Sequence, residues 1–375
     1  CVCTPSSFPP AFGGCVPLKQ ILCLSSQPWS TIPTRTQQLM TRLKDAKILF
    51  LEPPSRNYRK PGRKVRPGLT VYALPPAPEA SEDQRLLRFV RDRKLTRHIL
   101  KLMDMHRFRE PLLWCTSPEQ VHLLDAIPHQ GLVYDCAQDW LDTPPEWESD
   151  LALAADVIFA ASEGLVDHLS PCSDNIALLP NGVSYPMFSR PDNECPAPLA
   201  DLTGPILGFV GTIWEDLDLT PAIQAARALP RCTFVFVGQV EPYNPQLRTL
   251  EALPNVRLLG RQLPVDIPDY LSRFDVCLHL LRQSDYGADI VPSRVYEYLT
   301  SGKPIVAMFY PDHVEHFPDV IYAAHSPGEF VRLCIRALEE PDGWPAVRRR
   351  EHGAAAAWSN RAMQVTQILS ANGLY

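Results

Sequence analysis

An α/β fold built from two parallel-sheet domains is predicted by three observations. Short apolar, β-rich runs alternate with helix-length amphipathic segments from end to end, and several runs are continuously apolar, as strands buried on both faces must be. The alternation breaks once, in a proline-rich stretch near the middle of the 375 residues. A chain of this length also exceeds the roughly 100–200 residues of one ordinary core.

In the first half, strands are expected at 21–25, 48–51, 69–73, 112–116, 132–135, 157–161 and 176–179. The segment 34–43 reads as a capped helix. In the second half the runs fall at 206–210, 233–237, 256–259, 276–280, 305–308 and 320–323. Between them Pro186, Pro191, Pro196, Pro198 and Pro205 break any regular element. The boundary is therefore expected near 190, with one Rossmann-like domain over 1–190 and a second over 191–375. Beyond the last strand the chain reads as helical through 357. A closing amphipathic segment over 361–370 has the pattern to pack on either domain.

Composition narrows the function classes. An apolar share of 45 % and a charged share of 21 % are those of a folded, soluble protein. No apolar run approaches the roughly 20 residues of a membrane-spanning helix. The first residues lack the basic start and apolar core of a secretion signal, so a cytoplasmic protein is expected. Eleven cysteines, scattered singly through apolar runs, suit free thiols in a reducing compartment. Cys1, Cys3 and Cys15 are followed by no second pair at zinc-site spacing, so no metal site is expected.

The net charge of −6 is unevenly spread. Residues 56–109 carry 15 Lys and Arg against 5 Asp and Glu, a local charge of +10. Such a segment attracts anionic surfaces and suggests peripheral docking on an inner membrane face; a solvated helical face with a loop explains it equally well. No aromatic interleaving accompanies the charge, so nucleic acid is not an expected partner.

Open α/β sheets bind ligands beyond the carboxyl ends of their strands, and two facing sheets create a cleft. The run 209–214 ends a strand in Gly211 and Thr212, then enters an acidic turn and a helix opening near residue 220. Glycine there lets the backbone approach a phosphate or sugar, although strand-to-glycine turns are also common without a ligand. In the stretch 289–307 a loop runs into a helix that starts near Pro292 or Ser293 and stops at Gly302. Arg294 and Glu297 share one face of its first turns. A guanidinium with the helix dipole can hold a diphosphate while a carboxylate accepts ribose hydroxyls. The competing reading is a surface ion pair worth about 0.3–0.5 kcal/mol.

This stretch resembles the donor-binding signature of the family 4 glycosyltransferases, whose fold is called GT-B: an acid, seven residues, then glutamate. Asp289 stands where the family usually has Glu, and Arg294 where it has Lys; the run from Glu297 to Pro304 (Glu-Tyr-Leu-Thr-Ser-Gly-Lys-Pro) is intact. The resemblance extends to 208–219, 236–238, 255–261 and 275–278, and less specifically to 133–140, 155–163 and 179–183. It implies that Glu297 binds the donor ribose and Arg294 its diphosphate, that Gly211 and Thr212 lie at the phosphate or sugar, and that Gly238 and Arg261 hold the nucleotide. Asp289 would touch the transferred sugar. It further implies retention of configuration, no metal, and no cofactor beyond a nucleotide diphosphate sugar as donor.

Asp135 and Asp139, at a strand end of the first half, are carboxylates placed to meet an acceptor hydroxyl or the anomeric centre, or else to cap turns. Gln27, Trp29, Arg35 and Gln38 follow the first strand and are candidate contacts for a glycan or lipid-linked acceptor. The chemistry expected is sugar transfer in polysaccharide or glycoconjugate synthesis, with Arg294 stabilising the departing diphosphate. A sugar-nucleotide epimerase of the same architecture and a non-catalytic nucleotide-sugar-binding protein are the alternatives. A dinucleotide oxidoreductase is disfavoured because neither first strand is followed by G-x-G-x-x-G.

Overall fold

The computed structural model describes residues 19–77, 85–282, 289–308, 317–341 and 343–375. Cys1, Cys3 and Cys15, and residues 78–84 of the basic segment, lie outside the described residues.

The first half forms β1 (Lys19–Leu24), α1 (Arg35–Arg42), β2 (Ala46–Glu52), β3 (Arg63–Arg66), β4 (Leu69–Ala73), α2 (Arg85–His106), β5 (Leu112–Cys115), β6 (Gly131–Cys136), α3 (Pro145–Ala154), β7 (Val157–Ala160), α4 (Glu163–Leu169) and β8 (Ile176–Leu178). Its eight strands lie in the order β3-β4-β2-β1-β5-β6-β7-β8. β3 alone is antiparallel, to β4. The sequence runs predicted all the other strands of a parallel sheet, several of them as continuous apolar runs buried on both faces. β3 was not predicted, because Arg63, Lys64 and Val65 are exposed and alternate nothing apolar against a core. It is a basic edge strand, protected from further pairing by its charge.

The second half forms α5 (Tyr185–Phe188), β9 (Ile206–Val210), α6 (Thr220–Ala228), β10 (Thr233–Val237), α7 (Leu247–Glu251), β11 (Val256–Leu258), α8 (Ile267–Arg273), β12 (Val276–His279), α9 (Ser293–Ser301), β13 (Ile305–Met308), β14 (Ile321–Ala324), α10 (Pro327–Leu338), α11 (Trp344–Ala355) and α12 (Trp358–Ala371). Its sheet is wholly parallel, in the order β11-β10-β9-β12-β13-β14. In both sheets the winding reverses beside the first strand, at β1/β5 and at β9/β12, and a crevice opens at such a point.

The chain crosses between the sheets twice, and the crossings are bonded together. The Val183 N–H donates to the Ala356 carbonyl (3.0 Å) and the Trp358 N–H to the Val183 carbonyl (3.0 Å). Gly182 permits this approach, since a Cβ there would lie 2.6 Å from the Ala356 oxygen. After the second crossing α12 returns to the first sheet, where Trp358, Ala362, Val365 and Leu369 are buried with Ile21, Ile48, Trp114 and Phe159. Burying a side chain of this size contributes about 1.5–3 kcal/mol, enough in sum to hold a terminal helix.

No helix among the described residues is long and apolar enough to cross a membrane. The eight cysteines among the described residues are unpaired, and burial raises the thiol pKa of the deeply buried Cys23, Cys115 and Cys277.

Candidate functional site

Arg294 and Glu297 reach the cleft because α9 is held in place at three points. Val295, Tyr296, Tyr298 and Leu299 bury its inner face. The Tyr298 hydroxyl accepts from the Val210 N–H at 2.8 Å, fastening the helix to the end of β9. Gly302 ends it in the left-handed region at φ 76°, a conformation glycine adopts without strain. At the other end Pro292 occupies the cap position and no side chain caps the first turn. The Val295 N–H already donates to the Pro292 carbonyl at 3.0 Å, but no side chain competes for the N–H groups before it, and with the helix dipole these suit an anion.

These elements enclose a cavity of about 710 Å³ between the two sheets. The second half contributes Gly211 and Thr212 after β9, Gly238 and Gln239 after β10, Arg261, Gln262, Pro264 and Val265, and Ser293, Arg294 and Glu297 of α9. The first half contributes Trp29 to Pro33, then Gln37, Gln38, Thr41 and Arg42 of α1; Trp358 of α12 completes the wall. Among the described residues its charged lining is three arginines, Arg42, Arg261 and Arg294, against one carboxylate, Glu297. Arg294 and Glu297 pair with each other inside it. Burial pushes the Glu297 carboxyl above its ordinary pKa, and the adjacent Arg294 pulls it back only in part.

The sequence-derived donor residues Gly211, Thr212, Gly238, Arg261, Arg294 and Glu297 are thus brought together, along with Trp29 and Gln38 from the acceptor set. Arg261 reaches across the cleft, its Nη2 donating to Thr31 Oγ1 at 3.5 Å. The other candidates stand elsewhere. Asp135 is fully buried at the end of β6 and accepts from Arg35 Nε at 2.9 Å, so these two hold α1 to the sheet. Asp139 is exposed on the loop after β6 and does not line the cavity. Asp289 accepts from the Gly164 N–H at 2.7 Å, at the first turn of α4 on the opposite domain. Gln27 is exposed and lies outside the lining, its backbone turned against the Ser25 hydroxyl.

Sequence reasoning missed Gln37. Its Oε1 accepts from the N–H groups of Ser30 (3.0 Å) and Thr34 (3.2 Å), and its Nε2 donates to the Ser30 carbonyl (3.0 Å). It fixes the loop that carries Thr31 and Ile32 over the cavity. The signal was the capping box formed by Thr34 and Gln37, which defines the start of α1 but does not reveal the loop it clamps. Arg42 and Trp358 carried no local signal at all; tertiary packing alone places them here.

Gly238 is where the site depends most on a missing side chain. Its φ is +152°, and a Cβ there would overlap the Gly211 carbonyl, whose own N–H donates to Val237 O at 2.9 Å. Gly238→Ala is expected to lose about 1–3 kcal/mol of stability and to displace the Gly211–Thr212 turn. Thermal melting of the variant tests this, and an unchanged midpoint would show that the two strand ends are not pressed together.

Comparison with known proteins follows this geometry. Residues 220–367 match the family described as "Glycosyl transferase-like". A putative teichuronic acid biosynthesis glycosyltransferase, TuaH, of Bacillus subtilis (strain 168) is 28 % identical over 254 residues, which cover 60 % of this chain. The match spans 63 % of the length of that relative. Among solved structures, sucrose-phosphate synthase from Thermosynechococcus elongatus superposes with a TM-score of 0.72 at 15 % identity, covering 94 % of this chain and 98 % of that one. The trehalose-6-phosphate synthase OtsA gives 0.73 at 11 % identity, covering 94 % and 99 %. Anabaena HepE, in complex with UDP and glucose, gives 0.66 at 15 % identity, covering 94 % and 100 %. The chain accordingly has the GT-B fold, two Rossmann-like sheets across a cleft, and its second half resembles the glycosyl transferase-like family.

Proposed function

We propose that the protein is a glycosyltransferase that takes a sugar from a nucleotide diphosphate donor bound in the cleft and delivers it to an acceptor on the side of the first sheet. The observation that carries the reading is the charged lining of the cavity, three arginines to one glutamate at an uncapped helix start, which suits a diphosphate beside a ribose. Arg294 would neutralise the charge that grows on the diphosphate as the glycosidic bond breaks, and Glu297 would accept the ribose hydroxyls. The Gly211–Thr212 turn would bring backbone N–H groups to the phosphates or the sugar. The putative role of TuaH in teichuronic acid biosynthesis and the UDP held by HepE favour polysaccharide synthesis from a UDP-sugar.

Retention of configuration and independence from metal belong to the same proposal, as does a place at the inner membrane face through residues 56–109. Asp139 and Asp289 would approach the reacting centre only if the domains close further than they do here, since neither lines the cavity.

Melting the protein with UDP-, GDP- and ADP-sugars tests donor binding directly. A bound donor at about 100 times its dissociation constant is expected to add about 2.7 kcal/mol of stability. Release of nucleoside diphosphate that requires an added glycan acceptor would support transfer; clean epimerisation of the sugar with no acceptor present would overturn it.

A further inference from the structure

The outward face of α2 is apolar where the helix begins and basic where it continues. Leu86, Leu87, Phe89 and Val90 are 82, 43, 63 and 56 % exposed. The inward side of the same turns is charged: Arg91 pairs with Asp92 at 3.0 Å and reaches Glu119 at 3.6 Å, and Arg88 lies 5.6 Å over the Trp147 ring. A helix packed on a core in water has these faces the other way round. The inversion lasts two turns, because from Leu95 onward the usual arrangement returns, with Leu95, Ile99, Leu102 and Met103 buried. Spacings of three and four residues place Leu86, Phe89 and Val90 in line with exposed Arg93, Arg97 and Lys101.

Further positive charge gathers beside this face from outside the helix. The Tyr58 ring packs edge-on against His98 at 5.8 Å, which brings the short helical turn Arg56–Arg59 alongside α2. At the far end burial lowers the pKa of His106, and Lys47 of β2 and Lys64 of β3 lower it further, so both lysines lie within electrostatic reach of it. The basic run of the sequence is thus assembled in space around one helix. Contiguous exposed apolar side chains of this size mark a surface that something covers. An apolar wedge flanked by cations is complementary to a bilayer surface bearing acidic headgroups.

We propose that the first two turns of α2 insert Leu86, Phe89 and Val90 into the interface of an anionic lipid bilayer, while the basic residues beside them contact headgroup phosphates. This deepens the membrane reading given above and rests on it. A cavity of about 480 Å³ lies directly behind the inserted turns, lined by Arg91, Asp92 and Leu95 of α2 and by Ser26 and Leu74 at the strand ends. The loop that contributes Ser26 goes on to line the donor cavity with Trp29 and Thr31. Insertion would therefore set this cavity at headgroup level, beside the loop that also borders the donor cavity.

The test is co-sedimentation of the full chain with phosphatidylcholine vesicles that contain or lack phosphatidylglycerol. Wild type is expected to bind the acidic vesicles more tightly than the neutral ones and to keep a bound fraction at high salt, because apolar insertion is not screened. The Leu86→Ser, Phe89→Ser, Val90→Ser triple variant is expected to bind roughly tenfold more weakly or worse. All three side chains are exposed, so its melting and its response to UDP-sugars should match wild type. Should the triple variant misfold, the salt resistance of wild type still decides the matter. Loss of all binding at high salt, equal binding by wild type and triple variant, or capture by duplex DNA in place of vesicles each overturns the proposal. A normal UDP-sugar response alongside any of these would leave the donor site standing.

Discussion

Replacing Arg294 by alanine is expected to lower turnover roughly 100–1000-fold, about 2.7–4 kcal/mol of transition-state stabilisation, while leaving the fold intact. The side chain is 28 % exposed and contributes no apolar packing that the helix needs, since α9 is held by Tyr298 and by its buried face. What it supplies is a positive charge in a cavity where, among the described residues, Arg42 and Arg261 are the others. Because negative charge on the diphosphate grows as the sugar departs, both kcat and kcat/KM should fall. The variant should also move the pH profile in a defined direction. Burial raises the Glu297 pKa and Arg294 opposes the rise, so removing Arg294 raises it further. The acid limb of the residual activity is therefore expected at higher pH than in wild type.

The sign for stability follows from the same shift. A carboxyl whose folded pKa lies above its unfolded value stabilises the fold fully below the unfolded value, and that contribution is lost as pH rises through the folded one. Glu297 thus weakens the fold slightly at neutral pH in wild type and more so in Arg294→Ala. Initial rates from acidic to mildly alkaline pH, with melting curves on the same samples, check both statements. Near-full activity in the variant would remove Arg294 from the mechanism.

Much of this was legible in the sequence wherever one local rule decided the outcome. Buried parallel strands are continuous apolar runs, so β9, β10 and β13 fall at 206–210, 233–237 and 305–308, as the pattern predicted. The start of α9 was legible to within one residue, at Pro292 or Ser293, and its Gly302 stop was plain, and with them the shared face of Arg294 and Glu297. Outcomes set by contact between distant segments were not legible. β3 pairs with β4 through backbone alone and shows only its charges. Asp135 looked like a cleft carboxylate, but a guanidinium 100 residues earlier in the chain occupies it. Asp289 looked like part of the donor site, yet its loop leaves it on the Gly164 N–H of the other domain. The return of α12 to the first sheet, which brings Trp358 to the cavity wall, depends on a whole-chain path that no window of sequence displays.

Arg349→Met is expected to cost about 3–5 kcal/mol, the usual penalty for removing one partner of a buried ion pair. Arg349 is 1 % exposed; its Nη1 and Nη2 donate to the two Glu340 oxygens at 2.5 and 2.6 Å, and its Nε donates to the Val320 carbonyl at 2.7 Å. It joins α11 to the end of α10 and the start of β14, and its Nη1 also approaches the Gly302 carbonyl at 3.4 Å, where α9 stops. Burial pushes the Glu340 carboxyl up, but the hydrogen bonds from Arg349 and Tyr322 outweigh it and hold the pKa below the ordinary value. A depressed carboxylate contributes stability above its unfolded pKa and loses it as pH falls through the folded one. Without Arg349 most of that support goes while the burial remains, so Glu340 should become harder to ionise. The difference between wild type and Arg349→Met should therefore be large at neutral pH and shrink as pH falls toward the carboxylate range. Urea unfolding at several pH values measures it, and adding Glu340→Gln to the variant should recover part of the loss by removing the stranded charge. A variant as stable as wild type at neutral pH would show that the pair does not hold α11 against the end of α9.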